Sequence, residues 1–323
     1  MPELPEVETV VRGLRATLPG RRILSVRLGK TDFIDDPAAL DEQLPGRRVI
    51  AVERIGKFIC IELSHRAGDA GESTVDLHLL VHLGMTGRLA VRSPNEPVAP
   101  HTHGFFGLDD GNELRYTDIR RFGRILLVPG EGLPEFQGRL GHDALFIPAQ
   151  EFSRQVCRRR ARIKAFLLDQ KALRGMGNIY ADESLWRARI HPARLAANLS
   201  REEIARLHQA MRQVLRAAIK RGGSSISDFL DAEGKPGSYQ KSHRAYGREG
   251  EPCFRCGSAI ERIIVAGRSS HFCPRCQTVS KRALPARSRR ASLALSRRAL
   301  PARSAPGASR KRAPARRRRA KRR

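Results

Sequence analysis

The chain has 323 residues and carries 61 lysines and arginines against 33 acidic residues, so its formal net charge is +28 and its pI is about 11.3. This balance predicts a polyanionic partner, with nucleic acid ahead of a membrane surface. The most apolar stretch, residues 77–85, is short and interrupted by two histidines, which disfavours a membrane span or a secretory signal. We therefore expect a cytoplasmic or nucleoid location.

The positive charge is concentrated at one end. Residues 280–323 contain 18 lysines and arginines, no acidic residue and no aromatic residue, and the segment RALPARS occurs twice. Such a segment has too little apolar surface to offset the entropy of ordering, so we predict a disordered basic tail. The tail either tethers the protein to DNA or reflects low-complexity drift. The remaining body is long enough for two domains with cores of their own.

The N-terminal segment contains a candidate nucleophile. Pro2 follows a methionine of the kind that is normally trimmed, and trimming would leave a secondary amine. Because an unperturbed α-amino group has a pKa of roughly 7.7–8.0, part of this amine is neutral and nucleophilic near pH 7. Attack on a sugar carbon would give an iminium, with Glu3 as the neighbouring acid or base. The same residues are also explained by a helix start, with Pro5 in the first turn and glutamates complementing the helix dipole.

Hydrophobic periodicity divides the body into a β region and an α region. Apolar residues at helical spacing predict an amphipathic helix over residues 5–18. Eight short apolar segments between residues 22 and 128 predict an antiparallel sandwich or barrel. Residues 129–150 are rich in Gly and Pro and are interpreted as a linker. The helical period then returns and predicts helices at residues 151–157, 162–169, 178–188 and 201–221.

Four of the six cysteines form a metal-binding pattern. Two C-x2-C pairs, separated by sixteen residues, are formed by Cys253, Cys256, Cys273 and Cys276. This spacing is typical of one tetrahedral structural Zn²⁺ site, although two disulfides or a redox pair are alternatives. Two strands around Ala266 and Gly267 would form a hairpin that directs Arg268 towards an anionic partner. The other two cysteines, Cys60 and Cys157, are predicted to be inert core thiols.

Further motifs place functional side chains at strand ends, turns or a helix start. The glycine-flanked segment before Asn178 either presents free N–H groups to a phosphate or makes Asn178 an ordinary helix cap. The segments HLGMTG and TDIRRFG supply a flexible side chain, a guanidinium and a ring at Met85, Arg120 and Phe122. Lys57 begins a strand. Taken singly, these residues are better explained by a core methionine, a core phenylalanine, solvated arginines and an exposed lysine than by a function.

Taken together and in this order, the motifs resemble the formamidopyrimidine-DNA glycosylase family of bacterial base-excision enzymes. The match runs from Pro2 to about Cys276 and includes PELPEVETV, HLGMTG, TDIRRFG, GMGNIYADE, GGSSISDF and the cysteine pairs. Ile119 stands where proline is common, and the tail extends beyond the usual end. The resemblance implies an α+β fold with an N-terminal β-sandwich, a helix–two-turn–helix domain and a zinc finger. We place them at residues 1–130, 151–235 and 236–279, with a linker at 131–150 and the tail at 280–323.

The resemblance also implies catalytic roles. Pro2 would attack C1′ of a flipped nucleotide that carries an oxidised purine, and Glu3 would move protons at the sugar. The iminium would then allow β- and δ-elimination, so that the strand is cut at the abasic site. Lys57 and Arg268 would bind phosphate, and Lys57 would assist the steps after base loss. The implied partner is double-stranded DNA with oxidised bases, bound by a monomer.

Other positions are implied to contact DNA or the lesion. Met85, Arg120 and Phe122 would fill the gap left by the flipped nucleotide. Phosphate contacts are implied for His82, Lys164 and Asn178. Contacts with the everted base are implied for Glu6 and for Tyr246, which ends the segment 227–246.

Two other functions remain open on the sequence. An endonuclease VIII-like preference for oxidised pyrimidines would use the same scaffold, although the PELPEVE start favours the purine enzyme. A non-catalytic zinc-finger protein that binds DNA would explain the charge, but not the combination of Pro2, Glu3 and Lys57.

Overall fold

The β region forms two four-stranded antiparallel sheets in a computed structural model, which describes residues 2–66, 74–226 and 229–278. One sheet contains, in spatial order, β1 (Ile23–Leu28), β6 (Thr102–Leu108), β7 (Glu113–Thr117) and β5 (Arg88–Arg92). The other contains β2 (Arg47–Ile55), β3 (Phe58–Arg66), β4 (Val75–His82) and β8 (Arg124–Pro129). Side chains from both sheets share one apolar core, which includes Ile61 and Phe106. The predicted β-sandwich is confirmed.

The turn between β2 and β3 places Lys57 at the end of a sheet. Ile55 pairs with Phe58, so the turn consists of Gly56 and Lys57. Gly56 has a φ of 62°, which glycine adopts without the steric penalty of a side chain. The sequence therefore fixes the position of the lysine through an ordinary hairpin.

The α region has a second apolar core. It is built mainly from α4 (Ala149–Arg158), α5 (Ile163–Leu168), α6 (Asn178–Ala188) and α7 (Arg201–Lys220). The Ser200 hydroxyl caps α7 by accepting from the Glu203 N–H at 3.2 Å. The N-terminal helix, α1 (Leu4–Arg15), spans both cores, because Leu4 packs in the α core whereas Val7 and Val11 pack in the β core.

Some elements depart from the sequence predictions. Helix α1 ends at Arg15 rather than near residue 18, and the short helix α2 (Pro37–Gln43) was not predicted. The segment interpreted as a linker contains α3 (Leu133–Gly138) and the strand β9 (His142–Asp143), which pairs in parallel with β10 (Leu173–Arg174). These elements are too short to produce a visible period. The domain boundaries remain predictions.

The zinc-finger hairpin has the predicted form. Its strands β11 (Glu261–Val265) and β12 (Arg268–Phe272) are antiparallel, and Val265 pairs with Arg268 across the turn. Cys60 is buried as predicted, but the core-thiol prediction is wrong for Cys157, which is exposed on α4. No helix among the described residues is long and apolar enough to cross a membrane. The predicted disordered tail at 280–323 lies outside the described residues.

Candidate active site

A cleft of about 580 Å³ brings together residues from the β-sandwich, the α region and the zinc-finger hairpin. Its lining includes the predicted site residues Glu3, Lys57, His82, Met85, Asn178, Tyr246 and Arg268. Glu6 and Lys164 are buried away from its surface. Arg120 and Phe122 are exposed on the loop between β7 and β8. Residues that lie far apart in the sequence therefore share one site.

The carboxylate of Glu3 lies at the beginning of α6. Oε1 accepts from the Ile179 N–H at 3.0 Å, and Oε2 accepts from the Tyr180 N–H at 3.4 Å. Gly177 leaves the necessary space, because a Cβ there would lie 2.2 Å from Cδ of Glu3. Burial raises the pKa of Glu3, whereas Lys57 and the two N–H groups oppose that shift. A carboxyl group whose pKa is raised holds its proton more readily and is better suited to general acid catalysis.

The N–H groups at this helix start are consequently not free for a phosphate. Gly177 is the N-cap of α6, so Asn178 is the first helical residue and not its cap. The cap prediction for Asn178 is wrong, and the N–H groups of Ile179 and Tyr180 are not free for a phosphate, since a carboxylate of the same chain occupies the position expected for an anion. The Asn178 side chain instead lines the cleft beside Tyr246. Its Oδ1 atom is buried and has no partner among the described residues.

Backbone contacts fix the start of the chain next to Glu3. The Leu4 N–H donates to the Gly175 carbonyl at 3.0 Å, and the Glu3 N–H donates to Oε2 of Glu6 at 2.8 Å. Gly175 has a φ of 97°, a conformation that favours glycine. Pro2 is buried and directly precedes this anchored segment. The position of Pro2 is therefore determined by α6 and by the turn before it.

Lys57 and His82 lie at strand ends on the other side of the cleft. Burial lowers the pKa of Lys57, although Glu3 and Glu6 act in the opposite direction. Burial, together with Lys57 and Arg124, lowers the pKa of His82 to about 4, so its ring is neutral at pH 7. Nδ1 of His82 accepts from the Gly84 N–H at 3.1 Å, which leaves the hydrogen on Nε2. His82 can therefore donate a hydrogen bond to an anion without being charged.

Glu6 does not face the cleft, in contrast to its implied role at the everted base. It is 1% exposed, and its Oε1 atom accepts from the Ser224 N–H at 2.7 Å and from the Tyr180 hydroxyl. Burial, followed by the charge of Glu3, raises the pKa of Glu6 to about 7. The Ser224 hydroxyl lies 3.0 Å from Nε2 of His243. Glu6 thus joins the N-terminal segment to Ser224, and Ser224 in turn contacts His243.

Lys164 is also not a direct phosphate ligand in this structure. Its side chain is 0% exposed, and its ammonium group donates to Oδ1 of Asp182 and to the Ser269 carbonyl, both at 2.6 Å. Oδ2 of Asp182 accepts from the His271 N–H at 2.9 Å. Ser269 directly follows Arg268 in β12. The buried pair therefore holds the strand that carries Arg268, and Lys164 acts on that arginine through the backbone.

Tyr246 is positioned by another buried carboxylate on α6. The side chain of Glu183 accepts from the N–H groups of Arg244, Ala245 and Tyr246 at 2.8–2.9 Å. Burial raises the pKa of Glu183, while these N–H groups favour its charged form. The chain before the zinc finger is therefore fastened to the same helix as Glu3.

The residues with predicted roles in gap filling lie on two packed loops. Met85 follows β4 and is 38% exposed, whereas Phe122 is 56% exposed. The Arg120 guanidinium lies 4.5 Å from the centroid of the Phe122 ring. Asp118 is fully buried and joins the loops, because it accepts from the Thr86 hydroxyl at 2.5 Å and from the Gly123 N–H at 2.8 Å. The buried carboxylate of Asp118 thus holds together the two loops that carry the exposed side chains of Met85, Arg120 and Phe122.

Three family profiles match the chain in sequence order. They are the formamidopyrimidine-DNA glycosylase N-terminal domain over residues 1–125, the formamidopyrimidine-DNA glycosylase H2TH domain over residues 140–230, and a zinc finger found in FPG and IleRS over residues 250–279. The chain belongs to the formamidopyrimidine-DNA glycosylase family. This confirms the resemblance seen in the sequence.

Curated relatives and solved structures support the same assignment. The formamidopyrimidine-DNA glycosylase of Pelotomaculum thermopropionicum is 45% identical over 285 residues, which cover 86% of this chain and 100% of the relative. The enzyme of Solibacter usitatus is 45% identical over 279 residues, covering 86% and 99%. Lactococcus lactis Fpg in complex with abasic-site DNA has a TM-score of 0.77 at 34% identity. Its complex with DNA containing FAPY-dG has a TM-score of 0.76 at 34% identity, and each covers 86% of this chain and 100% of that chain.

The zinc finger of this family member contains one structural zinc site. The Sγ atoms of Cys253, Cys256, Cys273 and Cys276 all lie within 4.8 Å of one another. Backbone N–H groups of Arg255 and Cys276 donate to the sulfurs of Cys253 and Cys273 at 3.5 and 3.4 Å. Such bonds favour the thiolate form that binds Zn²⁺. The donor set therefore fits a tetrahedral site with four cysteine ligands.

Sequence reasoning missed the carboxylates that position the site. Asp118, Asp182 and Glu183 are all buried and hydrogen-bonded, but none was singled out. The available signal was the adjacent acidic pair inside NIYADESLW, a helix whose other residues are largely apolar. Acidic residues are almost never fully buried unless they are paired, so this pair pointed to specific partners. The sequence did not identify those partners.

Proposed function

We propose that this member of the DNA glycosylase family removes oxidised purines, such as 8-oxoguanine and formamidopyrimidines, from duplex DNA and then cleaves the strand. The observation that carries the proposal is the position of Glu3, which is buried beside Pro2 at the start of α6 and shares a cleft with Lys57 and Arg268. The duplex would lie across this cleft as the partner of a monomeric enzyme. Related structures contain DNA with a FAPY-dG lesion or an abasic site.

The first step is nucleophilic attack by Pro2. Once Met1 is removed, the lone pair of the proline nitrogen forms a bond to C1′ of the flipped nucleotide, and the bond from C1′ to the base breaks. The nitrogen loses its proton and the departing base gains one. Protonation of the sugar-ring oxygen, which we assign to Glu3, opens the ring and leaves an iminium between Pro2 and C1′. The raised pKa of Glu3 supports its role as the proton donor.

Strand cleavage follows from the charge of the iminium. Its electron-withdrawing character makes the C2′ proton acidic, so a base removes that proton and the 3′ phosphate leaves. A second elimination then releases the 5′ phosphate. We assign charge stabilisation at these phosphates to Lys57 and Arg268, with Glu3 as the acid and base. A glycosylase that used water would instead stop at the abasic site.

The remaining residues would hold the bent duplex. His82 and Asn178 would donate to phosphates, which positions DNA without reading its sequence. Met85 and Phe122 would occupy the space of the flipped nucleotide, and Arg120 would contact the base that remains. Tyr246 would lie beside the everted nucleotide. Lys164 would act by positioning Arg268.

Borohydride trapping tests the covalent step. A duplex containing 8-oxoguanine is incubated with the full-length protein, and the adduct is measured after reduction. We expect a covalent adduct for the wild-type protein and none for Pro2→Gly. Glu3→Gln is expected to abolish base release while duplex binding is retained. Rapid base release without any trapped adduct would contradict the amine mechanism.

A cleavage panel tests the substrate class. Duplexes that contain 8-oxoguanine, a formamidopyrimidine or thymine glycol are compared under single-turnover conditions. We expect the two purine lesions to be removed faster than thymine glycol. The opposite order would favour the alternative endonuclease VIII-like specificity on the same scaffold.

A further inference from the structure

A second concave surface lies at the C-terminal end of α6, and we call it the arginine groove. It has a volume of about 700 Å³ and is formed by the end of α6, one face of α7 and the segment around Phe254. Its positive side chains are Arg187, Arg206, Arg244 and Arg255. With a rise of about 1.5 Å per residue, α6 separates this end from Asn178 in the cleft by roughly 15 Å. The arginine groove is therefore distinct from the proposed catalytic site.

The groove has no internal counter-charge. Within the described part of the chain, no aspartate or glutamate lines it. Elsewhere in the fold, Arg54 pairs with Asp143 at 2.8 Å and Arg194 pairs with Glu203. Outside the lining, Glu202 and Glu203 interact electrostatically with Arg206. Within the groove the converging guanidinium groups still repel one another, and an anionic ligand would reduce that repulsion.

Two of the four arginines are already fixed by neutral acceptors. Arg255 donates to the carbonyls of Trp186 and Arg187 at 2.7 and 2.9 Å, and Arg187 donates to the side chain of Gln213 at 2.9 Å. Arg206 and Arg244 line the groove from two different elements, one from α7 and the other from the segment before the zinc finger. They are the groups best placed to bind a ligand with two negative charges.

The aromatic ring at the groove favours carboxylates over stacked bases. Phe254 is 60% exposed, and the guanidinium groups of Arg244 and Arg248 lie 4.2 and 4.1 Å from its ring centroid. The ring therefore holds arginines in place, whereas single-stranded nucleic acid needs free ring faces for stacking.

We propose that the arginine groove binds an acidic peptide segment of another protein. The segment would place carboxylates on Arg206 and Arg244 in charge-assisted hydrogen bonds. The basic tail of this chain cannot be the ligand, because residues 280–323 contain no aspartate or glutamate. The proposal is independent of the catalytic assignment.

The test measures binding of a fluorescein-labelled peptide of alternating Glu and Gly residues to the full-length protein by fluorescence anisotropy. The double variant Arg206→Ala/Arg244→Ala is compared with Arg201→Ala/Arg216→Ala, which removes the same charge from exposed positions of α7 outside the groove. We expect the groove variant to bind about tenfold more weakly and the control to stay within about twofold. The tail is the same in each protein, so its general attraction for anions does not affect the comparison.

Three controls separate this interpretation from others. Lesion excision should be unchanged in both double variants, which shows that they fold. An equal loss of peptide binding in both variants would overturn the proposal, as would tighter, groove-dependent binding of an oligothymidine strand. A version of the peptide with a photoreactive residue is also crosslinked to the wild-type protein. Adducts in α7 or at residues 244–255 would support the groove, and adducts confined to residues 280–323 would refute it.

Discussion

Helices α6 and α7 lie side by side in one core, but the two helices have different roles. Helix α7 begins at a capping serine, has a buried apolar face and exposes charged residues on the other. Helix α6 is buried almost all round, although it contains Asp182, Glu183 and Ser184. Its polar groups bind Glu3, Glu6, Lys164 and the chain before the zinc finger. The amphipathic pattern of apolar residues thus identifies a scaffold helix such as α7. Helix α6, which positions residues of the candidate site, departs from that pattern.

The largest loss of stability is expected from removing Lys164, the buried partner of Asp182 on α6. Lys164→Met leaves the Asp182 carboxylate buried without its charge partner, and we expect a loss of about 3–5 kcal/mol in the free energy of unfolding. Denaturant unfolding measures this loss. Because Lys164 positions Arg268, the effects of Lys164→Met and Arg268→Ala on DNA affinity should not be additive. Additive losses in the double variant would mean that Lys164 contacts DNA independently.

A smaller effect, on the rate of base excision, is expected from a substitution at the start of α6. In Gly177→Ala the new Cβ would overlap Glu3, and displacement of this carboxyl group by about 1 Å should slow base excision about 100-fold. Single-turnover excision measures the rate, and thermal unfolding checks the fold. The matched control is Ala205→Gly, an exposed site on α7, which should lower stability by about 1 kcal/mol and leave excision unchanged. Normal excision by Gly177→Ala would show that the position of Glu3 is not critical.

The burial of Glu6 beside Tyr180 of α6 predicts a pH effect on stability, because burial raises the pKa of this carboxyl group more than the Tyr180 hydrogen bond lowers it. The pKa of Glu6 is raised to about 7 from 4.5, so the fold favours its protonated form. Its contribution to stability is therefore complete below about pH 4.5 and declines as the pH rises through about 7. We expect the stability difference between wild type and Glu6→Gln to change over this window, by at most about 1.4 kcal/mol per pH unit. A difference that is constant between pH 5 and 8 would refute the shift.

The smallest effect is expected in the scaffold helix. Ser200→Ala removes the cap of α7 and should cost about 1 kcal/mol of stability. The excision rate should remain unchanged at a temperature well below the unfolding midpoint, because α7 contributes none of the proposed catalytic residues. A change in the excision rate at full folding would weaken the distinction between the two helices.

This distinction also explains what the sequence could predict. The eight strands, the bounds of α6 and the cysteine site follow from local patterns of apolar residues, turns and spacing. The roles of Lys164 and Glu6 could not be predicted from such local patterns, because their partners lie far away in the chain. Lys164 contacts Ser269, 105 positions later, and Glu6 contacts Ser224, 218 positions later. The residue types of Lys164 and Glu6 indicate charged side chains. Only the fold determines whether such a side chain contacts DNA or a buried partner.

The N-terminal anchoring has a consequence for biosynthesis. Glu3 is among the first residues to leave the ribosome, but its hydrogen-bond partner Ile179 follows 176 positions later, and Ser224, the partner of Glu6, comes later still. At about 5–20 residues per second, the N-terminus of a nascent chain waits roughly 10–35 s before α6 is available to receive it. The β-sandwich can form meanwhile, but the proposed nucleophile cannot be aligned. On the proposed mechanism, incomplete chains cannot react with DNA until α6 has been made.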